Sequence, residues 1–172
     1  DYQSYFWQYS LTNIFNRPIL NYTYTLNYYL GKDRTFGYHL ISIWIHFGSC
    51  LLIFLILRKT LLQQDGLVFR QKINTPLVAA SLFACHPVQT QTVTYIMSRS
   101  ASLCTFLYLA SFYCFVLALT EKKNKAAISS LQRNIFLIGM ALLSLTLMRM
   151  ALGVKLIIVS LPPMMFIYYF SF

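Results

Sequence analysis

His39-Leu40-Ile41-Ser42-Ile43-Trp44-Ile45-His46-Phe47-Gly48-Ser49-Cys50-Leu51-Leu52-Ile53-Phe54-Leu55-Ile56-Leu57, closed by Arg58-Lys59, decides the fold. As an α-helix this stretch rises about 28 Å, close to the thickness of a bilayer's hydrocarbon core. Its polar members are histidines, serines and a cysteine, with no charge before Arg58. The segment reads as a transmembrane helix.

Outward from it the pattern repeats. The 172 residues are 58% hydrophobic and 10% charged, against roughly a quarter charged in soluble domains. That balance excludes disorder, coiled coil and an ordinary cytosolic enzyme. Further spans are predicted over about 76–97, 101–119, 135–149 and 156–172, beside the first at 39–57. Residues 1–37, rich in Tyr and Asn, read as a non-cytoplasmic segment at headgroup level, and 38–172 as the membrane domain. The fold class is all-α, a polytopic integral membrane protein with four to five transmembrane helices. Asp1 opens the chain and Phe172 closes it inside an apolar run, so it is expected to be a piece of something longer.

The net charge of +10 would suggest nucleic acid in a soluble protein. Here the cations sit at helix ends, and no nucleic-acid partner is expected. Arg58, Lys59, Arg70 and Lys72 follow the first span, and Lys122, Lys123, Lys125 and Arg133 follow the third. The positive-inside rule makes both loops cytoplasmic. His86, Arg99, Arg149 and Lys155 then share the opposite face. Cys50, Cys85, Cys104 and Cys114 lack zinc or disulfide-framework spacing. They read as small buried hydrophobes, and no metal site is expected.

The span over 76–97 is the unusual one. Its apolar run Leu77–Cys85 meets His86-Pro87 and then Val88-Gln89-Thr90-Gln91-Thr92-Val93-Thr94-Tyr95. Proline removes a helical hydrogen bond, so a break is expected at Pro87. Polar residues at membrane depth are tolerated only against protein or a watery cavity. The stretch from His86 to Arg99 is therefore expected to line an outward-facing polar cavity, with Arg17, Arg149 and Lys155 nearby. Gln91, Tyr95 and Arg99 would share a helical face, and Arg99 could offer a bidentate fork to phosphate. The bland alternative is that Arg99, Arg149 and Lys155 snorkel to lipid headgroups. His39 and His46, seven residues apart, are expected to bond neighbouring helices. His86 either orients a substrate group or caps the broken backbone. Asn21-Tyr22-Thr23 matches a glycosylation acceptor.

Three runs carry a resemblance. The first is Asn16-Arg17-Pro18 with Tyr24-Thr25-Leu26-Asn27-Tyr28-Tyr29-Leu30-Gly31, Gly37-Tyr38-His39-Leu40 and Ile45-His46. The second is Phe83-Ala84-Cys85-His86-Pro87-Val88-Gln89-Thr90-Gln91, with Val93-Thr94-Tyr95-Ile96 and Arg99. The third is Leu152-Gly153-Val154-Lys155 with Leu161-Pro162. Together they resemble the membrane domain of bacterial tetratricopeptide-repeat proteins related to the TMTC O-mannosyltransferases, of the GT-C class.

The resemblance implies a partial GT-C-like bundle that transfers sugar from a polyprenyl-phosphate carrier to an acceptor hydroxyl outside the cytoplasm. The lipid-linked sugar is the implied donor substrate, and no other cofactor is implied. The implied location is a bacterial inner membrane, or the endoplasmic reticulum membrane in a eukaryote. Arg17, His39, His46, His86, Arg99 and Lys155 fall on motif positions. Of these, Arg99 and Lys155 are the leading phosphate contacts and His86 the one catalytic candidate. The acidic loop that would supply the family's base is not matched, and Leu156 and Ser42 stand where Glu and Asn are usual. A non-catalytic subunit packing against other membrane subunits is therefore the alternative, and a small transporter a weaker third.

Overall fold

The computed structural model describes residues 18–32, 34–64, 66, 68–123 and 130–171. These are helical almost throughout and contain no strand. Among the described residues seven α-helices follow one another: α1 Pro18–Gly31, α2 Thr35–Leu62, α3 Phe69–Cys85, α4 Gln89–Thr94, α5 Arg99–Lys123, α6 Ser130–Leu152 and α7 Leu161–Ser171. Short 3-10 turns at Ile96–Ser98 and Leu156–Ser160 lead into α5 and α7. Arg17 and the residues before it lie outside the described residues.

Thr35–Leu62, Ile96–Thr120 and Leu131–Leu152 are long and apolar enough to cross a membrane. Phe69–Cys85 is shorter, at 17 residues, and Leu156–Ser171 is a short apolar helix. The helix predicted over 39–57 runs past Arg58 and Lys59 to Leu62, because nothing in that stretch breaks a helix once it leaves the apolar zone. Pro76 lies buried inside α3, so the helix begins well before the apolar run at Leu77. Trp44, Phe47, Leu142, Phe166 and Phe170 are exposed, as apolar side chains facing lipid would be. These features fit an all-α protein located in a membrane.

Small residues let the spans approach. Ser42 and Ser49 on α2, and Ser102 and Ser111 on α5, are buried, each 4% exposed or less. Ser42, Ser49 and Ser102 donate to the backbone oxygens of Tyr38, Ile45 and Ser98, one turn back. A hydroxyl that bonds its own helix can be buried without a partner elsewhere. Ser111 instead reaches across to Ser144 of α6. With Leu103 near the start of α5 and Ala151 near the end of α6 in one cluster, the two helices run antiparallel, so Arg99 and Arg149 stand at the same end of the bundle.

That end is closed by a cluster of Leu20 from α1, Leu103 and Leu107 from α5, Val154 and Ile158 from the connection after α6, and Leu161 at the start of α7. A second cluster, Ile56, Phe112, Val116 and Tyr168, ties α2, α5 and α7. Between α1 and α2, Lys32 takes a left-handed conformation (φ 50°) and its N–H closes on the Tyr28 carbonyl at 2.8 Å, the usual way a helix ends before a sharp turn.

Candidate functional site

The chain leaves helical geometry at His86, whose backbone is extended (φ −65°, ψ 130°). Pro87 cannot continue α3, so the last carbonyls of α3 lose their ordinary partners. His86 Nδ1 accepts the Val88 N–H at 3.2 Å, and the Thr90 hydroxyl donates to the Pro87 carbonyl. These local bonds start α4, which lasts six residues before the extended Tyr95.

His39 and His46 meet the two broken ends. His46 Nε2 lies 3.4 Å from the Ala84 carbonyl oxygen near the end of α3, and its ring stacks on Phe83 at 5.6 Å. His39 Nδ1 lies 3.4 Å from the Val93 carbonyl oxygen near the end of α4. A carbonyl oxygen can only accept, so each of these ring nitrogens carries the hydrogen. Two turns of α2 thus supply donors to both interruptions. His46 Nε2 also stands 3.7 Å from Cys50 Sγ. Cys104 and Cys114 are buried and Cys50 half-buried, whereas Cys85 is exposed at the end of α3.

Arg99, expected to offer its fork to a phosphate, is enclosed by protein, at 0% exposure. Nη2 donates to the Tyr38 carbonyl at 2.8 Å and Nη1 to the Thr23 carbonyl at 3.4 Å. The guanidinium also lies over the Tyr24 ring at 4.6 Å and the Tyr38 ring at 5.4 Å. Tyr24 in turn donates its hydroxyl to the Ile96 carbonyl at 2.8 Å. Burial raises the Tyr24 hydroxyl above its ordinary range, with the Arg99 cation opposing, so it keeps the proton that this bond requires. A guanidinium tolerates such a site because it is weakly hydrated and stacks on aromatic faces. Nearby in sequence, Asn27 is 4% exposed with neither amide atom bonded, and Asn21 Nδ2 is buried without a partner. The glycosylation acceptor at Asn21 therefore does not present a free amide.

The other expected residues are spread along the outside. His86, Gln91, Tyr95, Arg149 and Lys155 are exposed. Arg149 and Lys155 flank the turn after α6, whose Val154 packs into the cluster that also holds Leu103 of α5.

A cleft of about 200 Å³ lies beside the break, lined by residues of α2, the end of α3, α4 and α5. Besides His46 and Phe83, its wall carries Ser49, Gln89, Thr92, Ser102 and Thr105. Gln89 and Thr92 fall in the His86–Arg99 stretch expected to line a cavity, whereas Ser49, Ser102 and Thr105 are not singled out by the sequence. Hydroxyls and amides inside apolar helices were the available clue, but a serine that serves only helix packing has the same sequence appearance.

Against curated proteins, 119 residues are 34% identical to protein O-mannosyl-transferase TMTC4 of Homo sapiens, covering 66% of this chain and 16% of that protein. Over 111 residues the chain is 33% identical to protein O-mannosyl-transferase Tmtc3 of Drosophila melanogaster, covering 58% and 12%. Over 130 residues it is 30% identical to protein O-mannosyl-transferase TMTC3 of Homo sapiens, covering 74% and 13%. The chain thus spans less than a fifth of the length of these relatives. No family model and no solved structure matches it. Over that shared stretch, the chain is related in sequence to the TMTC protein O-mannosyl-transferases.

Proposed function

We propose that this chain is membrane-embedded machinery of a GT-C glycosyltransferase, which moves a sugar from a polyprenyl-phosphate carrier to an acceptor hydroxyl on the non-cytoplasmic face. The observation that carries this reading is the sequence relation to proteins named O-mannosyl-transferases. Two structural features support it. A cleft with polar side chains in its wall adjoins the broken helix, and exposed Arg149 and Lys155 flank one turn at the end of the bundle where α5 begins.

In the reaction, the acceptor oxygen attacks the sugar's anomeric carbon as that carbon's bond to the phosphate oxygen breaks. Polyprenyl phosphate leaves with the electron pair, and a base takes the hydroxyl proton. Arg149 and Lys155 would hold the departing phosphate through charge-assisted bonds. Arg99, with both Nη atoms engaged on carbonyls, would hold the wall of the site. Exposed His86 would stand at its rim. The implied membrane is a bacterial inner membrane or the endoplasmic reticulum.

The test is transfer by the intact protein in nanodiscs, from labelled polyprenyl-phosphate mannose to a Ser/Thr-rich acceptor peptide. Labelled peptide is expected, with the donor KM raised about a hundredfold in Arg149→Ala/Lys155→Ala, the loss of two charge-assisted bonds at about 1.5 kcal/mol each. No transfer from mannosyl or glucosyl carriers would overturn the reading.

A further inference from the structure

We propose that the cleft beside the His86-Pro87 break is a seat for one neutral, hydroxyl-bearing sugar ring, built to exclude the phosphate. The assignment of that ring to a carrier-linked donor rests on the glycosyltransferase reading; the chemistry of the seat does not.

The argument comes from where the wall's protons go. A serine or threonine hydroxyl has one proton and two lone pairs. Ser49 spends its proton on the Ile45 carbonyl at 3.0 Å, Ser102 on Ser98 at 3.3 Å, and Thr105 on Ala101 at 3.0 Å. Each of these bonds returns to the hydroxyl's own helix, so the wall oxygens retain only lone pairs to offer a ligand. Ser49 and Ser102 are 2% and 4% exposed. Two helices thus present a row of acceptors whose donor capacity is already used.

A phosphate oxygen is an acceptor and carries charge. Against three acceptor oxygens and no lysine or arginine in the wall, it would find only the Gln89 amide and the Thr92 hydroxyl as donors and would lose most of its water without replacement. Sugar hydroxyls are donors and meet those lone pairs directly. Gln89 and Thr92 on α4 complete the wall with groups of mixed character. Phe83, held against His46, gives an apolar side for the C–H face of a ring. The volume of about 200 Å³ suits a single ring and is too little for a chain of them.

The experiment is ligand-observed NMR on the intact protein in nanodiscs, with methyl α-mannopyranoside, methyl α-glucopyranoside and inorganic phosphate as probes. A hexoside is expected to bind and phosphate not to compete with it. Ser49→Ala/Ser102→Ala/Thr105→Val, which removes the acceptors with little change of shape, is expected to weaken hexoside binding at least tenfold at unchanged helicity. If that variant does not fold, Thr105→Val alone carries the test, with a several-fold loss expected. Absence of hexoside binding, phosphate competition, or unaltered binding in the folded variant would overturn the proposal.

Displacement of the hexoside by a short-chain prenyl-phosphate hexose marks the ring as the donor's. Binding without displacement marks it as a free or acceptor sugar, with the same seat chemistry. Hexoside binding without any transfer activity removes the glycosyltransferase reading and leaves the seat standing. Transfer with an unchanged donor KM in the folded variant, together with unaltered hexoside binding, removes the seat and leaves the enzyme standing.

Discussion

Tyr24 braces Arg99 directly and through the preceding turn: its ring lies 4.6 Å from the guanidinium, and its hydroxyl donates to the Ile96 carbonyl at 2.8 Å, in the turn that delivers Arg99 to α5. Arg99→Ala removes the partners of two carbonyl groups, at Thr23 and Tyr38, together with the stacking. The expected cost is about 3 kcal/mol. Arg99→Lys cannot span both carbonyls and should lose roughly half as much. Tyr24→Phe should lose about 1 kcal/mol, because stacking survives. Thermal unfolding in nanodiscs reads the series, and an Arg99→Ala protein as stable as wild type would refute it.

Gly48 is a point of close approach between α2 and α5. A Cβ there would fall 2.8 Å from Cε2 and 3.2 Å from Cδ2 of Phe106. Gly48→Ala is expected to destabilise by about 1–2 kcal/mol through overpacking, and Gly48→Leu to disrupt the α2–α5 contact. Combining Phe106→Leu with Gly48→Ala should recover part of the loss. Unfolding midpoints of these variants and of Phe106→Leu alone check this, and an additive double variant would show that the ring is not the obstacle.

Ser111 and Ser144 exchange bonds across α5 and α6: each hydroxyl donates to the other's carbonyl, at 2.8 and 3.0 Å. Interhelical hydrogen bonds in membranes average about 0.6 kcal/mol, so either serine replaced by alanine should lose about that much. Leucine at either position should cost several times more by forcing the helices apart. Alanine and leucine variants of equal stability would show that close approach at this point is unimportant.

The basic loops predict an orientation, with the His86–Arg99 face outside the cytoplasm. With the four native cysteines replaced by serine, Tyr95→Cys should react with an impermeant maleimide applied outside the cytoplasm. Gln64→Cys should react only after permeabilisation. The opposite pattern would invert the assignment of the His86–Arg99 face.

Hydropathy and proline chemistry made much of this protein legible from its residues. Helices over His39–Leu57 and 101–119 needed only their apolar length, and α3 ends at Cys85 ahead of Pro87, which has no N–H to extend the ladder, although the same helix accommodates Pro76. These are local properties, carried by neighbouring residues and by the bilayer as solvent. The destination of Arg99 was not local. A long cationic side chain at a helix start reaches a phosphate or a carbonyl according to what the fold places beside it, and α1 and the first turn of α2 bring the Thr23 and Tyr38 carbonyls there. The pairing of His39 and His46 with the two broken helix ends has the same origin, since their spacing defined a shared face but not what that face would meet. The acceptor-lined cleft required still more: α2 and α5 had to converge before the lone pairs of Ser49, Ser102 and Thr105 could act together. Secondary structure follows from bonds along the chain, whereas a site follows from which surfaces the tertiary fold brings into contact.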